Sequence, residues 1–169
     1  MAVLDIVVYP DPRLRQVSQT VEEIDEELRK LVADMTETMY AAEGAGLAAI
    51  QVGRALRLFM LDPVILGGDK KEDPLVFINP EIVSYEGSQE GDEGCLSFPG
   101  IFVPVKRANG CTVRAKNLDG EEFELSVTEL AARAVQHETD HLNGRLLIDY
   151  VGKLKKKFIE RRLKKAAGA

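Results

Sequence analysis

The motif His137-Glu138-Thr139-Asp140-His141 constrains the fold of this chain more than any other stretch. Residues four apart lie about 40° apart around an α-helix, so both imidazoles can face one ion while Glu138 reaches a water molecule beside it. Burying these three groups without partners would be costly, and a shared cation would satisfy them together. The motif therefore predicts a metal site on a buried helix.

The helix that carries this motif is predicted to run from Val127 to Leu142. Ser126 and Glu129 have the spacing of a capping box, and Asn143-Gly144 supplies a left-handed stop after the last turn. An apolar stripe continues into the motif, so the stripe and the ionisable groups are predicted to share the core-facing side. The predicted stripe consists of Val127, Leu130, Ala131 and Ala134.

A third metal ligand is needed, because two histidines alone rarely complete a site. Cys95 is the best candidate, since the stretch Glu93-Gly94-Cys95-Leu96-Ser97 leaves it reachable beside a glycine. One cysteine, two histidines and an open fourth position make a catalytic set, because the open position holds water. The alternative is a closed structural site with a fourth ligand; Cys111 does not have the paired Cys-x-x-Cys spacing common in such sites.

Small residues are dense from Gly44 to Gln51, in the sequence Gly-Ala-Gly-Leu-Ala-Ala-Ile-Gln. This density predicts a loop whose peptide groups pair with an extended peptide ligand, with the Gln51 amide near the reaction centre. A tight turn packed against a helix is equally compatible with this stretch alone. A phosphate-binding loop is disfavoured, because the predicted helix precedes the glycines and no Gly-Lys-Ser/Thr ending follows.

The remaining periodicity predicts one α+β domain that spans 1–169. An amphipathic helix is expected from Asp25 to about Ala42, and a basic helix from Gly152 to Lys165 with an apolar stripe through Val151, Leu154 and Phe158. Asp119-Gly120 predicts a hairpin between the last two strands. The predicted strands are Leu58–Leu61, Leu75–Ile78, Glu81–Tyr85, Ile101–Lys106, Cys111–Asn117 and Glu121–Leu125.

Composition and charge indicate where in the cell the protein is expected and which kinds of partner it can bind. Two cysteines are too few for a disulfide framework, and no apolar run approaches the ~18 residues that span a bilayer, so we expect a soluble, cytoplasmic protein without a membrane role. The net charge is −6, yet residues 151–169 contain eight Lys or Arg and one Glu. The acidic body argues against DNA binding, whereas the basic tail can meet an anionic partner.

The three motifs together, in this order, resemble those of bacterial-type peptide deformylases. The likeness spans nearly the whole chain, from Pro10-Asp11-Pro12-Arg13 to the final helix. It implies removal of the formyl group, as formate, from N-formylmethionine at the start of nascent polypeptides. It also implies an α+β fold in which the metal-binding helix is central among short, mainly antiparallel sheets. The implied native ion is Fe(II), which Zn(II), Ni(II) or Co(II) can replace.

The resemblance also implies roles for individual residues. Cys95, His137 and His141 correspond to the metal ligands, and Glu138 to the general base and acid that helps metal-activated hydroxide attack the formyl carbon. The implied oxyanion donors are the Gln51 side chain and the Leu96 backbone amide. The implied substrate-binding residues are Gly46, Ala45, Glu93, Leu130 and Ala134. By the same resemblance, the basic C-terminal helix is a candidate ribosome contact.

The sequence departs from the family pattern at two positions. Ala45 stands where many relatives carry a branched aliphatic residue, so a wider pocket is expected. Arg133 places a charge near the expected pocket rim, whereas Asp140 projects away from the metal face. Two competing functions remain open from the motifs: a zinc endopeptidase of the His-Glu-x-x-His kind, and a non-enzymatic, metal-dependent, ribosome-associated binding module.

Overall fold

The computed structural model describes residues 2–68 and 73–167 of the chain. The predicted domain of 1–169 includes a few positions, namely 1, 69–72, 168 and 169, that lie outside the described residues. The principal elements in chain order are α1 (Glu26–Ala41), β1 (Gly46–Ala48), β2 (Leu58–Leu61), β3 (Leu75–Glu86), β4 (Gln89–Cys95), β5 (Phe98–Arg107), β6 (Gly110–Lys116), β7 (Glu122–Thr128), α2 (Glu129–Leu142) and α3 (Lys153–Ala167).

A five-stranded antiparallel sheet, ordered β1-β2-β3-β6-β7, forms the centre of the fold, and β4 and β5 form a separate hairpin sheet. Successive residues of β2 point to opposite faces of the central sheet, as in any strand. Phe59 packs in the cluster that contains Ala132 and Val135 of α2, whereas Met60 packs in the cluster that contains Met35 of α1. The expected α+β fold is confirmed.

Helix α1 forms as its sequence predicts. The Asp25 carboxylate accepts a hydrogen bond from the Leu28 amide at 2.9 Å and caps the first turn. Leu28, Leu31 and Met35 recur at helical spacing and are buried.

Helix α2 begins later than predicted, because β7 continues to Thr128 and leads directly into the helix at Glu129. The Ser126 cap is therefore wrong: the hydroxyls of Ser126 and Thr112 hydrogen-bond each other across the sheet at 2.8 Å. The apolar stripe is wrong at Leu130, which is 61% exposed. Pairing of β7 with β6 overrides the local capping signal.

The strands differ from the prediction at three places. In each case, pairing with residues that are distant in the sequence determines where the strand forms. The predicted loop at Gly44–Gln51 contains β1, because Gly46–Ala48 pairs with β2 at the sheet edge. The polar segment Gln89–Cys95 becomes β4 by pairing with β5. The two strands predicted before and after Pro80 are one strand, β3, with a register shift between Ile78 and Glu81.

The C-terminal helix α3 docks mainly through residues other than those predicted, although Val151 of the predicted stripe packs against the same core just before the helix. Ile159 and Leu163 are buried in a third core cluster with β5, whereas Leu154 is 85% exposed and Phe158 is 59% exposed. The sequence contains two apolar stripes at helical spacing, and packing selects the later one. Within the described residues, no helix has the length and apolar character needed to cross a membrane.

Candidate metal centre and substrate cavity

The three predicted metal ligands converge in the structure. Cys95 is the last residue of β4, and His137 and His141 lie one turn apart on α2. Their ligand atoms all lie within 4.8 Å of one another, and Cys95 Sγ is 3.4 Å from His141 Nε2. Sulfur and nitrogen ligands at the usual distances around a tetrahedral ion are about 3.5 Å apart. The Cys95–His141 pair has this separation, and the three donors together are of the kind and spacing that can hold a transition-metal ion.

The pKa values of the two histidines are shifted in opposite directions by their surroundings. Burial and the neighbouring His137 lower the pKa of His141 well below its ordinary value, which favours the neutral form that binds metal. Burial alone would also lower the pKa of His137, but its contacts with Cys95 and Glu93 raise that pKa well above the ordinary value. His137 is thus held by two acceptors, of which one is a predicted metal ligand.

Glu93 orients the His137 ring through its Nδ1 atom. Its Oε1 lies 2.9 Å from His137 Nδ1, which leaves the Nε2 atom of this histidine for an ion. Glu93 also accepts hydrogen bonds from Arg107 at 2.8 and 2.9 Å and from Arg133 at 2.6 Å. Although burial opposes it, these partners lower the pKa of Glu93 to about 2.

Glu93, one of the predicted substrate-binding residues, makes its contacts with protein groups. The residue lies at the cavity wall, but it is buried and both carboxylate oxygens are engaged by protein groups. A carboxylate in this position can orient a predicted metal ligand, His137, while it pairs with two arginines.

Arg107 extends the same network away from the metal ligands. Its Nη1 atom donates to Asp140 Oδ2 at 2.6 Å, and the Tyr150 hydroxyl donates to the same oxygen at 2.6 Å. Asp140 thus projects away from the metal face, as predicted from the helix geometry. Sequence reasoning missed Arg107, because β5 brings it to the site only by pairing with β4.

Glu138 lies beside the metal ligands in a nearly water-free position. Its Oε1 atom is buried, and no hydrogen-bond partner for it lies among residues 2–68 and 73–167. Burial raises the pKa of Glu138 to about 7, so the group can hold or release a proton near neutral pH. A Cβ atom at Gly46 would lie 2.8 Å from Glu138 Oε2, so a side chain at this position would force the carboxylate to shift.

Gln51 is held rigidly at the same site. Its Oε1 accepts from the Ala48 amide at 3.0 Å, and its Nε2 lies 3.1 Å from Ser97 Oγ and 3.5 Å from Cys95 Sγ. The amide nitrogen is therefore directed towards the metal ligands. Ser97 is a second group that the sequence did not single out, although it belongs to the Cys95 motif.

A cavity of about 530 Å³ opens onto these groups. Ala45, Leu96 and Ala134 line its walls, and Leu130 stands at its mouth because the side chain is largely exposed. Gly46, Gln51, Glu138, Cys95 and His137 line the same cavity. The structure thus collects residues from β1, the β4–β5 turn and α2 around one space large enough for a peptide end.

Comparisons with known proteins agree on one family. The family model described as polypeptide deformylase matches residues 3–157. A peptide deformylase of Alkalilimnicola ehrlichii is 49% identical over 165 residues, which cover 98% of this chain and 91% of the relative. One of Nitrosococcus oceani is 47% identical over 165 residues, covering 98% of this chain and 96% of the relative.

Solved structures show the same similarity in three dimensions. A peptide deformylase from Legionella pneumophila superposes with a TM-score of 0.92 at 46% identity, covering 98% of this chain and 96% of that one. A peptide deformylase from Ehrlichia chaffeensis in complex with actinonin superposes with a TM-score of 0.91 at 40% identity, covering 98% of both chains.

Proposed function

The chain belongs to the polypeptide deformylase family and removes N-formyl groups from nascent peptides, and we propose that this hydrolysis takes place in the cavity beside Cys95, His137 and His141. The family is metal-dependent, and these three side chains are the proposed ligands. The observation that carries the proposal is their convergence within 4.8 Å next to the buried carboxyl group of Glu138.

The proposed ion is Fe(II), with Zn(II), Ni(II) and Co(II) as substitutes, because a thiolate and two imidazoles suit all four metals. Such an ion, when bound, lowers the pKa of a water molecule to about 7 and polarises a carbonyl oxygen. Metal analysis of anaerobically purified protein, coupled to the activity assay, tests the choice. Activity that follows zinc content instead of iron content would overturn the assignment of Fe(II).

Glu138 is the proposed general base and acid. Burial places its pKa at about 7, near the value at which one group can take a proton and later return it. The carboxylate takes a proton from the attacking water and then delivers it to the nitrogen of the leaving amine. Its Oε1 atom, which has no hydrogen-bond partner in the described part of the chain, leaves an acceptor free for this transfer.

Two donors are proposed to stabilise the oxyanion that forms at the formyl group. The Gln51 side chain is fixed by the Ala48 amide, so its Nε2 atom is already directed towards the predicted metal ligand Cys95. The Leu96 backbone amide, in the turn between β4 and β5, is the second proposed donor. Each donor of this kind contributes about 3 to 4 kcal/mol to transition-state stabilisation.

The peptide is proposed to bind along β1. This strand is at the edge of the central sheet and pairs on one side only with β2, so its other side can accept an extended chain. Gly46 allows the close approach, and Ala45, Leu130 and Ala134 are proposed to contact the first side chain. Glu93 is proposed as a positioning residue for His137.

A formate-release assay with formyl-Met-Ala-Ser tests the function. Release of formate is expected from the metal-loaded protein, and no cleavage is expected of a peptide whose ends are blocked and whose bonds are all internal. Cleavage of the blocked peptide alone would refute the deformylase function and favour an endopeptidase. The Glu138→Gln variant is the matched negative control.

A ribosome contact through α3 and a cytoplasmic location are further proposals. The helix carries exposed lysines and arginines, and it docks on the body through Ile159 and Leu163. Deleting the helix would remove this packing, so Lys→Glu changes at positions 155, 156 and 157 are the better test. Unchanged co-sedimentation of this variant with ribosomes would contradict the contact.

A further inference from the structure

The two proposed oxyanion donors are attached to different sheets. Gln51 lies in a short 3₁₀ helix, Ala49–Val52, that follows β1 of the five-stranded sheet, whereas Leu96 lies in the turn between β4 and β5 of the hairpin sheet. These two segments are the oxyanion loops. Two donors stabilise one oxyanion only when both are held at hydrogen-bonding distance from the same point. Neither sheet fixes that geometry by itself, so contacts that join the two loops matter for the reaction.

A segment near the N-terminus, residues 7–9, joins the oxyanion loops through its backbone. The Val7 amide donates to the Gln51 carbonyl oxygen at 2.7 Å, and the Tyr9 amide donates to the Ser97 carbonyl oxygen at 2.9 Å. Gln51 is itself one proposed donor, and the residue before Ser97 provides the other. Two amides that are only two residues apart in the chain thus hold both loops.

Packing fixes this segment on the body of the protein. Val7 is 5% exposed and Tyr9 is 9% exposed, whereas Val8 between them is 38% exposed. The Tyr9 ring stacks on Phe98, the residue after Ser97, with the ring centroids 4.9 Å apart. Both hydrogen bonds therefore lie in a largely buried environment, where a hydrogen bond is stronger than in water.

A side-chain contact between the same loops has a different effect. Gln51 Nε2 lies 3.1 Å from Ser97 Oγ, which sets the orientation of the Gln51 amide group. An amide nitrogen carries two hydrogens, so one remains for the oxyanion. The side-chain contact orients the donor, and the amides of the N-terminal segment fix the backbone from which that donor extends.

We propose that Val7 and Tyr9 are positioning residues, whose backbone amides hold the two oxyanion loops at the separation that the transition state requires. The proposal rests on the deformylase function and on the two donors proposed above. Because the oxyanion forms only in the transition state, loosening either loop lowers kcat and leaves KM unchanged. Misplacing a reacting group by about 1 Å can cost about 10²-fold in rate. We expect a loss of about tenfold for one missing hydrogen bond, because the loop keeps its other contacts.

Replacing a backbone amide with an ester tests this role, because the ester removes the N–H group and keeps the side chain. Val7→α-hydroxyisovalerate, introduced by nonsense suppression, removes the hydrogen bond to the Gln51 carbonyl oxygen. The same replacement at Val8 is the matched control, since in the described part of the chain the Val8 amide has no protein acceptor. The measured quantities are kcat and KM for formate release from formyl-Met-Ala-Ser, together with the content of bound metal.

The ester at position 7 is expected to lower kcat about tenfold, with KM and metal content within about twofold of the wild-type values. The ester at position 8 is expected to leave kcat unchanged. Gln51→Ala is expected to lower kcat by about 10²- to 10³-fold and to retain measurable turnover. In this background the ester at position 7 is expected to cost less than about twofold, because the donor that it positions is gone. A general loss of structure would instead lower kcat equally in both backgrounds.

Equal kcat in the position-7 ester and the wild-type protein would overturn the proposal. An equal loss at position 8, a loss confined to KM, or a loss of the same size in the Gln51→Ala background would also overturn it. If the position-7 ester does not fold, the corresponding ester at Tyr9 replaces it, with the same expected loss of kcat. Absence of formate release by the wild-type protein would instead refute the deformylase function, and this proposal with it.

Discussion

Replacing Glu93 with glutamine is expected to destabilise the protein and weaken metal binding together. The change removes the carboxylate that pairs with Arg133 at 2.6 Å and with Arg107 at 2.8 Å, in a buried position. Arg107 keeps Asp140 as a partner, but Arg133 loses the acidic group it contacts. Breaking a buried pair from one side costs about 3 to 5 kcal/mol, and we expect the lower end because the amide oxygen remains an acceptor.

Urea unfolding of the metal-free Glu93→Gln protein measures this loss without the contribution of the ion. Chelator competition measures the second effect, an expected 10- to 100-fold weaker metal affinity, because the amide orients His137 less strongly than the carboxylate does. Asp140→Asn is the matched control: it also removes a partner of Arg107, yet it contacts neither Arg133 nor His137. A loss below about 1 kcal/mol in Glu93→Gln, or equal metal affinity in both variants, would refute the reasoning.

Further changes test other parts of the site. Glu138→Gln is expected to keep the bound metal but lose about 10²- to 10⁴-fold in kcat, and substantial remaining turnover would contradict its role as base. Gly46→Ala is expected to displace the Glu138 carboxylate, which a Cβ would approach to 2.8 Å, and so to reduce kcat; an unchanged pH–rate profile would count against this. The pKa of Glu93, lowered from 4.5 to about 2, predicts stability that is full above pH 4.5 and lost as the pH falls towards 2. Acid titration of unfolding should show a flatter slope over this range in Glu93→Gln than in the wild-type protein.

The sequence was sufficient for the parts of the site that depend on helix geometry. His137, Glu138 and His141 share a face because of their spacing alone, and α1 forms where its periodicity and its cap at Asp25 predict. Cys95 was found because a metal site needs a third ligand and its neighbour is glycine. These signals come from residues that are close together in the chain, so they can be read from a single sequence.

The contacts that the sequence did not predict all depend on pairing between distant strands. Arg107 reaches Glu93 because β4 and β5 pair, and the polar sequence of β4 contains no strand pattern. The pairing of Glu93 with two arginines was not predicted either, because nothing in its own segment indicates them. Helix α3 docks through Ile159 instead of Phe158 because of the core surface against which it packs. The sequence of the helix alone does not indicate which of the two is buried.

The absence of a linker between β7 and α2 ties the metal centre to the register of the central sheet. Thr128 ends the strand and Glu129, with a φ of 54°, begins the helix. Each residue added at this junction would rotate the helix by about 100° around its axis. A single insertion would therefore turn both imidazoles away from Cys95, which is anchored on another sheet, so this junction does not tolerate a change of length.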